Sequence, residues 1–348
     1  MGVGNLNIDL DALADNWRAL DDMTGQGCQT AAVVKADGYG LGVGRIARAL
    51  AKAGARRFFV AVAEEGAEVR RALGPAPEIC VLSGHMAGDS DRLRGHNLVP
   101  MLNSVDQLTR HLEALPGHPF GLQLDVGMSR LGMGGPEWSA ARDLALAAGP
   151  EFIMAHLTSS EDRSSEANAA ELSRFRAMTD GTVLPRSFAN SGGILLGPDY
   201  HFDLARPGIA LYGGMPFEGH QPVVQLSLPV IQLRQIEAGE TVGYNCTWTA
   251  ERPTLIATVS GGYADGLLRS LQPDLTLWAG DVACRAVGRV SMDLITVDVT
   301  DLARIPESLD LLGPHQDVSD LARMAGTISY EILTSLGQRY ARRYTGAA

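Results

Sequence analysis

Lys35 stands where a lysine amine can do covalent chemistry. It closes the apolar run Ala31-Ala32-Val33-Val34 and opens the turn Ala36-Asp37-Gly38-Tyr39-Gly40. A short apolar run before a Gly-rich turn reads as a buried parallel strand. Desolvation at the end of such a strand disfavours the ammonium, so the pKa is expected to fall from ~10.4 towards ~7–8. A neutral amine there forms a Schiff base with an aldehyde cofactor or a carbonyl substrate. A lone lysine so placed equally fits plain snorkelling out of a strand end. Two later turns carry groups suited to an anion. Asn190-Ser191-Gly192-Gly193 offers a hydroxyl, and Arg206-Pro207-Gly208-Ile209 offers the backbone N–H groups of Gly208 and Ile209. Either turn alone is an ordinary glycine-containing connection.

The elements that must position these residues follow from the pattern of the chain. Short apolar strands are expected at Thr30–Val34, Arg57–Val62, Glu78–Leu82, Leu98–Leu102, Phe120–Asp125, Glu151–His156, Arg186–Asn190 and Phe202–Ala205. Helical patterns lie between them, as at Val43–Ala53, Glu64–Leu73, Val105–Ala114, Ser139–Ala148 and Glu166–Asp180. Eight such alternations suggest a (β/α)8 TIM-type barrel rather than an open sheet. In such a barrel, Lys35 and the two later turns come to the C-terminal ends of the strands, where these folds bind ligands. After Tyr212 the texture changes. A glycine-rich linker, Gly213 to Gly219, leads into alternating β-type segments at Val223–Ile236, Leu255–Ser260, Leu275–Ala279, Val282–Val287 and Leu294–Val299. Helical patterns return near Ser319–Met324 and Tyr330–Arg342. The expected division is therefore a barrel over residues 1–222 and a β-rich domain over residues 223–348.

Bulk properties narrow the partners. With 348 residues and 45% apolar content the chain can bury a large core. A net charge of −11 argues against nucleic acid or an anionic membrane surface. No apolar run is long enough for a membrane span, and the N-terminus shows no secretory signal. Cys28, Cys80, Cys246 and Cys284 are widely spaced, which suits a reducing cytoplasm and neither a disulfide frame nor a zinc site.

The string Val33-Val34-Lys35-Ala36-Asp37-Gly38-Tyr39-Gly40 resembles the cofactor-lysine motif of the bacterial alanine racemases. Further strings similar to that family run in order to Tyr330. They include Gly243-Tyr244-Asn245, Gly261-Gly262-Tyr263-Ala264-Asp265-Gly266, Gly288-Arg289-Val290-Ser291-Met292-Asp293 and Ser329-Tyr330-Glu331. The resemblance implies a pyridoxal phosphate enzyme built as a barrel plus a β domain. It implies a cytoplasmic homodimer that interconverts L- and D-alanine, supplying peptidoglycan precursors or catabolising D-alanine. By resemblance Lys35 holds the cofactor covalently. Tyr39, Ser191, Gly208, Ile209 and Tyr330 would contact its phosphate, and Arg206 would face the ring nitrogen. An arginine only donates hydrogen bonds, so it would leave that nitrogen unprotonated. The two bases would be Lys35 and Tyr244, the latter supplied by the partner subunit. His156 would hydrogen-bond both Tyr244 and Arg206, and a cationic Arg206–His156 chain would favour phenolate at Tyr244. Arg130 and the Met292 N–H would meet the substrate carboxylate, while Tyr263 would narrow the mouth beside Tyr330.

One position departs from the family pattern. Many members carry a carbamylated lysine where this chain has Gln123, and that negative charge pairs with the arginine matching Arg130. Gln123 offers only weaker neutral hydrogen bonds. Arg130 is then expected to be held less firmly, or a small anion such as chloride fills the gap. The change keeps open a broader racemase acting on serine or other small amino acids. A non-catalytic pyridoxal phosphate barrel protein would lack the β domain. A decarboxylase for basic amino acids would favour an acid in place of Arg206.

Overall fold

The computed structural model describes residues 3–346. The chain forms two compact units. The first strand, β1 (Asn5–Asp9), belongs to the β-rich unit.

The other unit, built on Leu13–Leu211, is a ring of short parallel strands. Its members are β2 (Gln29–Thr30), β3 (Ala32–Val33), β4 (Arg57–Val60), β5 (Glu78–Val81), β6 (Val99–Leu102), β7 (Gly121–Gln123), β8 (Ile153–Met154), β9 (Arg186–Ser187) and β10 (Leu204–Ala205). β2 and β3 are two pieces of one strand. β2 pairs with β10 and β3 pairs with β4, which closes the ring at eight strand positions. The ladders are shorter than the apolar runs that carry them, because ring closure takes up the last residues of each run as turns.

Parallel strands covered on both sides need apolar side chains on both faces. Phe58, Phe59, Val60, Ile79, Cys80 and Val81 are all fully buried. The covering helices expose one face only. In the helix Val43–Ala53, Ile46, Ala47 and Leu50 are buried at helical spacing. Ser104 caps the helix Val105–Ala114 by accepting the Gln107 N–H. Phe175 stacks on Phe188 with ring centroids 4.8 Å apart, sealing one side between helix and strand. Ring closure brings the residues that follow β3, β8, β9 and β10 to one rim.

The β-rich unit is organised by a long strand, β11 (Val224–Ile236). Its first half pairs antiparallel with β1, and its second half pairs with β14 (Thr254–Ser260). Between them come the small hairpin strands β12 (Thr241–Val242) and β13 (Trp248–Thr249). β15 (Thr276–Ala279), β16 (Val282–Arg285), β17 (Leu294–Asp298) and β18 (Ser308–Leu312) complete the sheet with β19 (Ala341–Thr345). β11 also pairs with β18, and a bulge near Val230–Gln232 lets one strand serve two sheets.

Two expectations are corrected here. The helical pattern over Tyr330–Arg342 ends early: the helix covers Ser329–Ser335, and Ala341–Thr345 is β19, parallel to β1. Gly337 donates its N–H to Asp265 O at 3.0 Å, which turns the chain away from the helix axis. The N-terminal segment was expected within the barrel, yet Leu6 and Ile8 are fully buried in the sheet of the β-rich unit. Among the described residues no helix is long and apolar enough to cross a membrane.

Candidate active site

Lys35 follows β3 and begins a turn of unusual hand. Ala36, Asp37 and Gly38 have φ of 54°, 55° and 63°, and Tyr39 follows at 54°. Left-handed helical backbone costs L-residues about 1–2 kcal/mol each, so the surroundings must hold it. Asp37 Oδ1 accepts the Val43 N–H at 2.7 Å, tying the turn to the next helix. Gly38 N–H donates to Val34 O at 2.9 Å and Gly40 N–H to Ala36 O at 2.6 Å. Strain kept in this way is characteristic of sites where a side chain must be aimed. Burial pushes the Lys35 amine below the ordinary lysine range, and the Arg130 guanidinium pushes it the same way.

Arg206 lies on the same rim, after β10, and is 4% exposed. Its guanidinium donates to Ser187 Oγ and, at 2.7 Å, to Ala155 O. Ser187 in turn donates to Leu204 O at 2.6 Å. Burial brings Arg206 down to about 10, which still leaves it cationic at neutral pH. His156 follows β8. Burial, then Arg206, Arg130 and Lys35, bring its pKa down to about 3. The imidazole is therefore neutral, and the expected cationic Arg206–His156 chain is corrected: the hydrogen bonds of Arg206 go to Ser187 and Ala155, and the positive charge stays on the arginine.

Ser191 and Gly208 meet directly. Ser191 Oγ accepts the Gly208 N–H at 2.9 Å and the Ala210 N–H at 3.3 Å. The Gly208 N–H, expected to face an anion, is thus turned to the serine hydroxyl. Tyr39 is 3% exposed, and its hydroxyl lies so close to Gly208 that a Cβ there would collide with it. Ile209 is fully buried and opens the short turn Ile209–Tyr212. Below Ser191, a Cβ at Gly192 would meet Ser160 O at 2.5 Å, and Ser160 Oγ donates to Asn190 Oδ1 at 2.8 Å. Asn190 Oδ1 also accepts the Gly193 N–H at 2.8 Å. Lys35, Tyr39, Arg130, His156, Ser191, Arg206, Gly208 and Ile209 are thereby brought onto one rim.

Arg130 sits in a loop closed by backbone bonds from Met133 N–H to Gln123 O and from Asp125 N–H to Met133 O. The Asp125 carboxylate fills the loop, accepting the N–H groups of Gly127, Met128 and Ser129, each at 2.9 Å. Gln123 is buried and donates its amide to Leu131 O at 3.3 Å. Its contact is thus with the backbone beside Arg130.

In the β-rich unit, Tyr244 stands on a tight turn and is 67% exposed. Asn245 and Cys246 there have φ of 58° and 48°. Gly243 and Gly288 pack backbone to backbone: a Cβ at Gly288 would meet Val242 O at 2.8 Å. The Tyr244 turn is thus seated on the segment that leads to Met292. That segment receives the Tyr263 loop, since Tyr263 N–H donates to Ser291 O at 3.0 Å and Ala264 N–H to Met292 O at 2.9 Å. Gly266 presses on Ser335 O at the end of the helix that carries Tyr330, where any Cβ would clash. Tyr244, Tyr263, Met292 and Tyr330 thus ride on one connected set of loops.

Four participants had no sequence signal that singled them out. Glu65 accepts the Ala36 N–H in the Lys35 turn and the Ala61 N–H after β4. Ser187 holds Arg206. Asp265 and Arg339 pair in the Tyr263 loop. Glu65 reads as an ordinary acidic residue in the first turn of a helix, and Arg339 as a surface charge.

The chain matches the family models for the alanine racemase N-terminal domain over residues 8–216 and the alanine racemase C-terminal domain over residues 223–344. It is 64% identical to an alanine racemase of Cereibacter sphaeroides, covering all of both chains. It is 42% identical to one of Rhizobium meliloti over 99% of this chain and 97% of that protein. Among solved structures it superposes with a TM-score of 0.93 on alanine racemase from Bartonella henselae with covalently bound pyridoxal phosphate. The identity there is 37%, with 99% of this chain and 100% of the other covered. A lysine-bearing barrel rim, a β-rich unit with its tyrosine loops, and full-length likeness place this chain in the alanine racemase family.

Proposed function

We propose that this protein interconverts L- and D-alanine with pyridoxal phosphate, and that Lys35 and Tyr244 of the partner subunit are the two bases. The residues present fit the cofactor. Lys35 offers a desolvated amine for its aldehyde. Tyr39 and Ser191 offer hydroxyl donors, and Gly208 leaves open the space that a Cβ would fill beside them. Arg206 offers a fixed cation and no acceptor for the ring nitrogen. When bound, pyridoxal phosphate supplies an aldehyde that captures the substrate amine and a ring that acidifies the α-hydrogen. Tyr330 and Ile209 complete the set that would hold its phosphate.

The chain's own residues then have defined tasks. Arg130, aimed by the Asp125-filled loop, binds the substrate carboxylate together with the Met292 N–H. Lys35 moves a proton on one face of the α-carbon and Tyr244 on the other. Neutral His156 offers an acceptor nitrogen that orients the Tyr244 hydroxyl, and the nearby positive charge of Arg206 favours its ionised form. Tyr263 limits the side chain that fits. The exposure of Tyr244 on its strained turn supports a homodimer in which each site borrows the other subunit's loop. We place the reaction in the cytoplasm.

The observation that carries the reading is Lys35 at the end of β3, held by a left-handed turn on the barrel rim, where burial lowers the proton affinity of its amine. Chiral analysis of L-alanine incubated with the loaded protein tests it. Lys35→Ala is expected to abolish racemisation. Tyr244→Phe is expected to slow it by about 10²-fold or more in at least one direction. Full activity of Tyr244→Phe in both directions would refute the two-base assignment. Serine in the same assay reports how strictly alanine is selected.

A further inference from the structure

We propose that Glu65 is a positioning residue for Lys35: its carboxylate latches the left-handed turn that carries the amine and sets a negative charge beside it. Glu65 lies in the first turn of the helix Ala63–Leu73. An acid there would ordinarily face solvent and the helix N-terminus. Here one oxygen turns to the residue before the helix's own N-cap and the other reaches across to the Lys35 turn. Oε1 accepts the Ala36 N–H at 2.8 Å and Oε2 accepts the Ala61 N–H at 2.8 Å. Ala36 follows β3 and Ala61 follows β4, and those two strands are already joined by the Val34 N–H to Phe59 O bond at 2.9 Å. The carboxylate therefore fastens two adjacent strand ends just past the point where their ladder stops. These N–H groups need an acceptor that the ladder no longer supplies. Ala36 is also the first of the positive-φ residues, so the latch holds the backbone next to Lys35 where the hand of the chain reverses.

The same carboxylate sets the charge balance at the amine. Burial and Arg130 push the Lys35 pKa down, and Glu65 pushes it up. This inference rests on the reading of Lys35 as a base that must both take and give a proton. Such a group works best with a pKa near the working pH. Burial and Arg130 alone would leave the amine a weak base that seldom holds a proton, and Glu65 restores its affinity for the proton.

The test uses the full-length, pyridoxal phosphate-loaded enzyme with Glu65→Gln and Glu65→Asp. Glutamine keeps the shape, removes the charge and points an NH2 at one of the two N–H groups. Its pH titration of cofactor absorbance, which follows the proton on the Lys35 nitrogen, is expected to move down by about one unit. Its kcat should fall about ten-fold while KM for alanine changes less than about three-fold. Aspartate keeps the charge and shortens the reach. Its titration is expected to stay at the wild-type value, with a smaller fall in kcat that reports the loosened latch. A Glu65→Gln enzyme that titrates and turns over like wild type overturns the proposal. Should Glu65→Gln fail to fold, a Glu65→Asp enzyme with wild-type kcat, or one whose titration moves by about a unit, overturns it as well. Borohydride reduction and peptide mapping of the wild type separate the two ideas. A label absent from Lys35 sinks the cofactor reading itself. A label on Lys35 with an unmoved Glu65→Gln titration sinks only the role of Glu65.

Discussion

Arg339 grips both carboxylate oxygens of Asp265, Nε to Oδ1 at 2.6 Å and a terminal nitrogen to Oδ2 at 2.8 Å. Its remaining nitrogen reaches Asp293 Oδ1 at 2.7 Å. Asp265 also accepts the Gly262 N–H at 3.0 Å. One guanidinium therefore joins the loop that bears Tyr263 to the loop that bears Met292. Lysine cannot make this two-pronged contact. Arg339→Lys is expected to raise KM for alanine about ten-fold, with kcat changed far less, because the loops lose alignment before the chemistry is touched. Steady-state kinetics check this. An unchanged KM would assign the pair to fold maintenance alone.

Gly208 has no room for a methyl group, since a Cβ there would strike the Tyr39 hydroxyl. Gly208→Ala is expected to weaken pyridoxal phosphate binding by about ten-fold or more, read by fluorescence titration. Removing the obstructing oxygen in Tyr39→Phe/Gly208→Ala should recover part of that loss. A double variant that adds the two single losses would show that the collision is not the cause.

Gln123 spends its amide on Leu131 O. A leucine of similar size at this position loses that hydrogen bond, worth about 1 kcal/mol. Gln123→Leu is expected to lower the melting temperature by roughly 2–4 °C and to raise KM for alanine through a looser Arg130 loop. Intact-mass measurement of the wild-type protein should show no added carbamate.

A chain of histidines predicts an acid-sensitive fold. His111 Nε2 lies 3.0 Å from His118 O, so that nitrogen donates and His111 Nδ1 accepts. His85 Nδ1, 3.2 Å away, must then donate, and His85 Nε2 accepts from Ser90 Oγ at 3.0 Å. Burial brings His85 down to about 4 and also lowers His111. In the unfolded chain both titrate near ~6.5. Between these values the unfolded state binds more protons, so stability is full above about pH 6.5 and falls as the pH drops towards 4. Thermal melts at stepped pH should lose several degrees across that window. His85→Asn should flatten the slope, and an unaltered slope would remove this chain as its source.

The eight strand positions and most helices were legible because parallel strands buried on both faces must be continuously apolar. Lys35 was legible for the same reason: a charge at the end of such a run is conspicuous. The hand of its turn was not. Glycines announce a turn, but Ala36, Asp37 and Tyr39 disfavour positive φ, and part of what holds them there is an acceptor on Glu65, remote in sequence, and the reach of the Asp37 carboxylate to the next helix. His156 was legible at the end of a strand, yet its neutrality depends first on burial and then on Arg206, Arg130 and Lys35 converging from separate strands. Local pattern carries no information of that kind. The C-terminal strand was read as helix because its decisive partner lies at the other end of the sequence.

That partnership shapes how the protein is made. β1 lies between β11 and β19, so a strand translated before the barrel waits for strands translated after it. The barrel can emerge and collapse from the ribosome while its neighbour still lacks an edge. Leu6 and Ile8, destined for complete burial, gain one neighbouring strand when residues 224–227 emerge and the other only with Ala341–Thr345. Chaperone demand should therefore peak late. A nascent chain arrested before Ala341 would display a sticky apolar strand with its backbone half unmatched.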